Sequence, residues 1–490
     1  MSKPLVCVTV TGATTAELRQ KRDAVTDADL IELRLDTVSD PNAAGALEGR
    51  RRPAIVTCRP SWEGGAFKGS EEERKRILVD ALSLGAEYVD IEWRARFEDL
   101  IAQAGGRRIV LSTHDYHGVP IDLTARVHAM RRTGAEVIKI AASMTSLSDC
   151  IPLLDLGAQS GRQGGLVLIG MGPFGFATRV LAGRFGSAWT YAGSIEEIGQ
   201  VSAQSLLKDF HFRSLTDTTE LYGVVGGSVA HSISPAMHNA AFRAARIDAV
   251  YLPLPAASAG DFRAFGRAIG VAGASVTIPF KVTLFDLVDE VDAVARRIGA
   301  INTVRVMDGR WIGGNTDASG FLEPLKERID LSGKRIAVLG AGGAARAVLV
   351  ALGSAGTPVR LHARNRSQAE GVAAIASADV GPWPPEPGSW DVLVNCTPIG
   401  MFPKVDETPV PPDRLTGKYV YDLVYNPAMT RLLRDAAAAG CRTIGGLEML
   451  VAQAREQFIW WTGMKPAAGV MREAALKRLA EFARDETYII

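Results

Sequence analysis

The sequence predicts an α/β protein in two successive units. An N-terminal (β/α)8 barrel of the TIM type spans about residues 1–217, and a two-domain α/β unit with an open Rossmann-like sheet follows. Three observations carry this. At 490 residues the chain is too long for one ordinary domain, taking about 150 residues per domain as a guide. Short β-rich runs, each followed by a helix-length segment, recur eight times before residue 217, the pattern of βα units on a parallel sheet. Past that point a strand, a Gly-rich turn and a helix follow one another at 335–352.

The eight runs are Leu5–Val10, Leu30–Leu35, Ala54–Arg59, Glu87–Glu92, Arg108–His114, Glu136–Ala142, Leu166–Met171 and Ala188–Ala192. An open doubly wound sheet would give the same beat. The barrel is favoured because polar residues gather at the strand C-termini, where barrels build their sites. Period two puts Glu32, Arg34 and Asp36 on one face of the second run. Thr57 and Arg59 end the third, Asp90 and Glu92 the fourth, Ser112 and His114 the fifth. Lys139 lies inside the apolar run Val137–Ala141, where a charge is costly without a reason.

Composition excludes several classes. Lys plus Arg is 55 and Asp plus Glu 54, a formal charge of +1, which gives no electrostatic ground for a nucleic acid or an anionic membrane as partner. Five scattered cysteines with no C-x-x-C argue against a zinc site or a disulfide framework, so no metal is expected. The apolar stretch Ile336–Val359 is broken by Arg346 and five glycines, too interrupted for a membrane span. The first residues enter a strand-like run with no signal-peptide pattern, so the expectation is a cytoplasmic protein.

A lysine in an apolar strand has its ammonium form disfavoured by desolvation and by nearby cations, here Arg34 or Arg59. A neutral amine can condense with a ketone to an imine, which serves as an electron sink. His114 is the natural general acid or base, Glu92 on the neighbouring strand could orient it, and the arginines suit a substrate carboxylate.

These residues, with Thr57-Cys58-Arg59-Pro60, Glu63-Gly64-Gly65, Ser112-Thr113-His114-Asp115-Tyr116, Thr178-Arg179 and Phe185-Gly186-Ser187, resemble type I 3-dehydroquinate dehydratase over about residues 3–212. The resemblance implies an imine at Lys139, with His114 removing the adjacent proton and later protonating the departing hydroxyl. It also implies that Glu92 holds His114 and that Glu32, Arg34, Arg59, Arg179 and Gln200 bind substrate. The closing loop departs from the family's pattern, with Glu196-Glu197-Ile198-Gly199-Gln200.

The second unit starts near residue 217, after the polar Asp217-Thr218-Thr219-Glu220. Its Gly-rich turn, Gly340-Ala341-Gly342-Gly343-Ala344-Ala345, sits between a strand and a helix as a dinucleotide site requires. Where an NAD site usually carries an acidic residue, this chain has Arg364-Asn365-Arg366-Ser367, so NADP is expected. Lys281 and Asp317 could pass a proton to a carbonyl oxygen, although a structural salt bridge would need the same residues.

Ser232-Ile233-Ser234-Pro235, Thr277-Ile278-Pro279-Phe280-Lys281, Asn302-Thr303, Asn395-Cys396-Thr397-Pro398, Tyr421-Asp422-Leu423-Val424-Tyr425-Asn426-Pro427 and Gly446-Leu447-Glu448-Met449 resemble shikimate dehydrogenase over about 221–475. The resemblance implies catalysis by Lys281 and Asp317, and shikimate binding by Ser232, Ser234, Thr277, Asn302, Asp317, Tyr425 and Gln453. It implies cofactor binding by Gly340, Gly342, Gly343, Ala344, Asn365, Arg366, Ser367, Thr397 and Gly446. Ser275 stands where the family usually has Asn, and Ala318 where it has Gly; His231 and His238 are expected to be structural. The implied domains are 218–328 completed by 445–490, around a Rossmann-like domain 329–444.

The whole chain thus resembles a fused dehydratase–dehydrogenase acting on 3-dehydroquinate, 3-dehydroshikimate and shikimate in turn. A quinate dehydrogenase and a non-catalytic sensor are the rivals. The paired serines lean towards shikimate, and a sensor would have lost Lys139, His114, Lys281 and Asp317.

Overall fold

The structure, a computed structural model, describes residues 3–160, 163–193, 199–482 and 484; Glu196 and Glu197 lie outside the described residues. The chain divides into two compact units, Met1–Thr219 with Leu254–Ala257 and Asp261–Gly270, and Glu220–Pro253 with Ser258–Gly260 and Val271–Ile490.

In the first unit, β1 (Leu5–Val10), β2 (Leu30–Arg34), β3 (Ala54–Thr57), β4 (Tyr88–Glu92), β5 (Ile109–Asp115), β6 (Val137–Ser143), β7 (Leu166–Met171) and β8 (Trp189–Ala192) form one eight-stranded sheet. The order is β7-β6-β5-β4-β3-β2-β1-β8, parallel at every recorded pairing. Ala188 N donates to Leu166 O at 2.7 Å, drawing the start of β8 to the start of β7.

Strand alternation builds this barrel's interior in layers. Cys7, Leu30, Ile55, Val110, Val137, Val167 and Trp189, flanked by Tyr88, share one apolar cluster. Two residues further along each strand stand Thr9, Glu32, Thr57, Asp90, Ser112, Lys139, Ile169 and Tyr191. The lower layer supplies burial energy, at about 25 cal/mol per Å² of apolar surface. The layer above it carries the charges.

The second unit begins with a mixed sheet: β9 (Glu220–Gly226), β10 (Ala249–Pro255), β11 (Val271–Val276), β12 (Glu290–Val291), β13 (Thr303–Met307) and β14 (Arg310–Gly314), in the order β10-β9-β11-β13-β14-β12. β13 and β14 are an antiparallel hairpin. Its two-residue turn puts Asp308 at φ 50° and Gly309 at φ 75°, the left-handed pair whose twist matches the flanking strands. The helix Gly446–Thr462 and the helix Val470–Phe482 pack on this sheet's cluster through Ala454, Phe458, Trp461, Met471 and Ala475.

The other sheet is parallel: β15 (Ile336–Leu339), β16 (Val359–His362), β17 (Asp379–Gly381), β18 (Val392–Asn395), β19 (Tyr419–Asp422) and β20 (Arg442–Ile444), in the order β17-β16-β15-β18-β19-β20. Strand order reverses at β15, and the Gly-rich turn follows that strand. This is where open α/β sheets bind ligands.

Candidate active sites

The barrel holds a cavity of about 180 Å³ lined by Glu32, Arg34, Arg59, His114, Lys139, Arg179, Tyr191 and Gln200 among others. Lys139 is 5% exposed, and its Nζ donates to Asp90 Oδ2 at 3.0 Å and to Glu32 Oε1 at 3.4 Å. The charged side chains that touch its ammonium are carboxylates, and Arg59 donates to the same Asp90 oxygen as Lys139, so one of the expected cations is close by. Arg34 instead grips Asp36 with two bonds of 2.8 Å, and Asp36 also accepts from Ala66 N. Glu32 is held by Thr57 Oγ1 at 2.9 Å and Thr9 Oγ1 at 3.1 Å, and Gln200 Nε2 donates to Thr9 at 3.3 Å. Arg179 is buried and donates to Tyr191 O at 3.4 Å; burial pulls its pKa down to about 10.

Arg59 is the hub. Its NH1 lies 2.9 Å from His114 Nδ1 and donates to Glu92 at 3.2 Å, and its NH2 donates to Asp90 at 3.2 Å. Burial pushes the Asp90 carboxyl up, but Lys139 and Arg59 outweigh it and hold the group well below the usual range. Burial, then Arg59 and Lys139, keep the His114 pKa far below its ordinary value, so the imidazole is neutral and able to accept a proton.

The expected Glu92–His114 contact is not formed. Glu92 pairs in register with Ser112, two residues short of His114 along β5, or roughly 6–7 Å at strand rise. Its carboxylate is taken by Arg59 and by Arg74, from the helix Glu71–Ser83. Glu63 stands beside the imidazole instead, its Oε1 accepting from His114 N at 2.9 Å and lying 3.1 Å from Nδ1. Burial pushes the Glu63 pKa to about 7. Glu63 belongs to a single 3-10 turn after β3, Ser61–Glu63, which strand periodicity does not reveal. The four-residue step from Arg59 was the available signal.

In the second unit, Lys281 Nζ donates to Asp317 Oδ2 at 2.5 Å. Asn302 Nδ2 donates to Asp317 Oδ1 at 2.8 Å, to Thr316 Oγ1 at 2.9 Å and to Gln453 Oε1 at 3.3 Å. These residues meet because Ile301 N donates to Lys281 O at 2.8 Å, tying the short helix Phe280–Thr283 to the Asn302 loop. Ser234 N donates to Ser232 Oγ, and Tyr425 is half-buried. Thr277 follows β11 and donates its N–H to Val225 O at 2.9 Å. His238 is fully buried and stacked on Tyr251, whereas exposed His231 meets Phe482 edge-on. Among the described residues no cluster of potential metal ligands occurs.

The Gly-rich turn fits a dinucleotide. Gly340 has φ 100°, which an L side chain resists, and a Cβ there would lie 3.0 Å from Thr397 Cγ2. Gly342, the N-cap of the helix Gly343–Ser354, has open space around it and no side-chain cap, so free N–H groups face outward near Ala344. A Cβ on Gly343 would lie 3.2 Å from Lys281 Cδ, so the turn and the catalytic candidate are neighbours. Asn365 caps the helix Arg366–Ala373 through Gln368 N, leaving Arg364, Arg366 and Ser367 exposed. Gly446 opens the helix Gly446–Thr462 with its Cα packed against Leu423 O. Asn395 donates to Asp422 at 2.9 Å and Thr430 to Asp422 at 2.6 Å, so that part of the motif is a buried brace.

A barrel whose cavity holds a buried lysine and a histidine, joined to a unit with a Gly-rich dinucleotide turn, has the architecture of a fused lyase–oxidoreductase. The comparisons specify it. The family model for type I 3-dehydroquinase matches residues 6–217, that for the shikimate dehydrogenase substrate binding domain residues 224–304, and that for the shikimate 5'-dehydrogenase C-terminal domain residues 446–476. The chloroplastic bifunctional 3-dehydroquinate dehydratase/shikimate dehydrogenase of Arabidopsis thaliana is 34% identical over 474 residues, covering 89% of this chain and 78% of that one. A shikimate dehydrogenase (NADP(+)) of Moorella thermoacetica is 43% identical over 277 residues, 52% of this chain and 92% of that one. A crystal structure of a shikimate dehydrogenase in complex with NADP+ matches at TM-score 0.51 and 34% identity, over 54% of this chain and 97% of the other. The chain belongs to the family of bifunctional 3-dehydroquinate dehydratase/shikimate dehydrogenases.

Proposed function

We propose that the chain dehydrates 3-dehydroquinate to 3-dehydroshikimate in residues 1–217 and reduces that product to shikimate in residues 218–490. The reductase would comprise a substrate domain of 218–328 with 445–490, around a cofactor domain of 329–444. The observation that carries this reading is the pairing of a buried lysine and a neutral histidine in one barrel cavity with a Lys281–Asp317 pair beside a dinucleotide turn.

In the barrel, Lys139 Nζ attacks the ketone and water leaves as the imine forms; Glu32, in contact with Nζ, passes the protons the amine sheds to the departing oxygen, while Asp90 stays ionised and balances the charge on nitrogen. His114 removes the proton from the adjacent carbon, the electrons move into the imine, and the β-hydroxyl departs with a proton returned by His114. Hydrolysis frees the enone and the lysine, for a net loss of one water. Glu63 orients the imidazole. Arg34, Arg59, Arg179, Gln200 and Glu32 hold the carboxylate and hydroxyls of the substrate.

In the reductase, Gly340, Gly342, Gly343, Ala344, Asn365, Arg366, Ser367, Thr397 and Gly446 would hold NADP, whose reduced form, NADPH, would supply the hydride. Lys281 donates the proton to the carbonyl oxygen, and Asp317, fixed by Asn302, holds Lys281 in place. Ser232, Ser234, Thr277, Asn302, Tyr425 and Gln453 bind the ring substituents. Among the described residues no helix is long and apolar enough to cross a membrane, and the five cysteines are unpaired, which fits a reducing compartment such as the cytoplasm.

A coupled assay tests the reading: 3-dehydroquinate with NADPH should consume the cofactor and yield shikimate. Failure of either isolated half-reaction in folded protein would remove that half of the proposal. Replacing Arg364 and Arg366 together by Ala should raise KM for NADPH far more than KM for NADH. A charge-assisted phosphate contact is worth about 1.5–3 kcal/mol, roughly ten- to hundredfold. The Arg366–Glu370 pair it must displace is exposed, and such pairs contribute only about 0.3–0.5 kcal/mol. Equal effects on both cofactors would show that these arginines do not read the 2′-phosphate.

Glu63→Gln tests the corrected partner of His114. Arg59 NH1, 2.9 Å from Nδ1, can only donate, so a proton sits on Nδ1 and leaves Nε2 free as base only where ionised Glu63 outcompetes that contact; activity should then rise with pH as Glu63 ionises around 7. The variant should lose roughly ten- to hundredfold in kcat, less than the roughly 10²–10⁴-fold that a positioned general base itself contributes, because Glu63 acts through His114. The acid limb of kcat/KM near 7 should vanish with it. An unchanged limb assigns that titration to another group.

A further inference from the structure

Asn302 lies on a loop, yet its carbonyl is gripped from the sheet side. Val276 N donates to Asn302 O at 2.7 Å, and Gln457 Nε2 donates to the same oxygen at 3.0 Å. A carbonyl only accepts, so this contact fixes which end of the Gln457 amide is which. Gln457 Oε1 must then face Ser275, whose hydroxyl donates to it at 2.6 Å. Ser275 Oγ in turn accepts from Tyr251 O–H at 2.6 Å. Gln457 and Tyr251 are 1% and 0% exposed. Every proton in the series Tyr251, Ser275, Gln457 points the same way, towards the loop that carries Asn302.

We propose that Gln457 is a positioning residue for the reduction: with Ser275 and Tyr251 it anchors the Asn302 loop to the interior of the mixed sheet, and through Asn302 it sets the Asp317 carboxylate against Lys281. This rests on the reading of Lys281 and Asp317 as the proton-handling pair. The chemistry of the chain supports a role beyond filling space. An apolar side chain at position 457 would leave the buried Ser275 hydroxyl without its acceptor and Asn302 O without one donor; the three polar side chains stay satisfied only together. Its terminus is the residue whose amide nitrogen holds Asp317 at 2.8 Å. The titratable groups around it are few. Tyr251 and His238, stacked on it with ring centroids 4.5 Å apart, are both kept neutral by burial. Lys281 and Asp317 lie on the side-chain side of Asn302, and Arg305 donates to Trp460 O, one helical turn from Gln457.

Gln457→Glu is the test, because a protonated glutamic acid has the shape and hydrogen-bond pattern of glutamine: its C=O accepts from Ser275 and its O–H donates to Asn302 O. The carboxylate has no proton to give and repels that carbonyl. Burial raises the pKa of such a group, so it is neutral in mildly acidic solution. The ratio of variant to wild-type kcat, for shikimate and NADP+, should be near one at low pH. It should fall by roughly tenfold as pH rises through the carboxyl titration, the size expected when a buried acceptor loses its donor. KM for NADP+ should not move, and dehydration of 3-dehydroquinate by the same chain should be unchanged. A ratio that is constant across pH overturns the proposal. If the variant does not fold, Gln457→Leu decides: a lower kcat at unchanged KM for NADP+ supports it, and an unchanged kcat overturns it. Wild-type protein inert towards shikimate and NADP+ would instead sink the reading of the site itself.

Discussion

Borohydride added together with 3-dehydroquinate should attach the reduced ligand to Lys139 and to no other lysine, and Lys139→Ala should abolish both the adduct and the dehydration. The expected loss of rate is on the order of 10⁴-fold or more, because the covalent route disappears outright and only binding and general-base assistance survive. The geometry makes the site specific. Lys139 is 5% exposed inside the barrel and touches Asp90 and Glu32, so it is placed both to meet a ketone held in the cavity and to lose its proton there. Peptide mapping by mass spectrometry reads the result. An unmodified Lys139 in protein that still turns over would rule out the imine at this residue.

Lys281→Ala should lower kcat for NADPH-dependent reduction of 3-dehydroshikimate by roughly 10²–10⁴-fold, the range for loss of a positioned proton donor, and leave dehydration untouched. His114→Ala should do the reverse. Most of the Lys281 loss should fall on kcat rather than KM if its proton transfer matters chiefly in the transition state. Each variant is assayed with its own half-reaction substrate and checked for folding by circular dichroism. The check matters for Lys281, whose removal leaves Asp317 held only by Asn302 and the turn at Asn315 among its recorded bonds. If His114→Ala abolished both isolated reactions in folded protein, the assignment of one reaction to each half would fail.

Much of both sites could be read along the chain. Glu32, His114 and Lys139 declared themselves as charged or imidazole groups at alternate positions in otherwise apolar strands, and they do share one cavity. The Gly340–Gly343 turn declared itself by its place between a strand and a helix, and its position next to Lys281 follows the motif. Glu63 stands in a motif without a visible role, because a three-residue turn has no periodicity to show which way a side chain points. Gln457 was hidden differently: on the helix Gly446–Thr462 it reads as one polar residue among several, and only its contact with a carbonyl 155 residues earlier gives it meaning.

What the sequence determined by itself is therefore the content of each layer: which strand delivers a hydroxyl, a carboxylate or an amine, and at what height above the apolar floor of Cys7, Leu30, Ile55, Val110, Val137, Val167 and Trp189. Alternation fixes this because successive side chains in a strand must take opposite faces. The tertiary structure decided who meets whom. The stagger of neighbouring strands sets Glu92 level with Ser112 rather than His114, and Arg74, arriving from a helix outside the barrel, claims the carboxylate that the histidine was expected to use. Lys139 touches Asp90 and Glu32 and shares an Asp90 oxygen with Arg59, while Arg34 is held by Asp36. A buried charge takes the nearest compensating group in space, and that distance is set by strand stagger and by loops that no local period encodes.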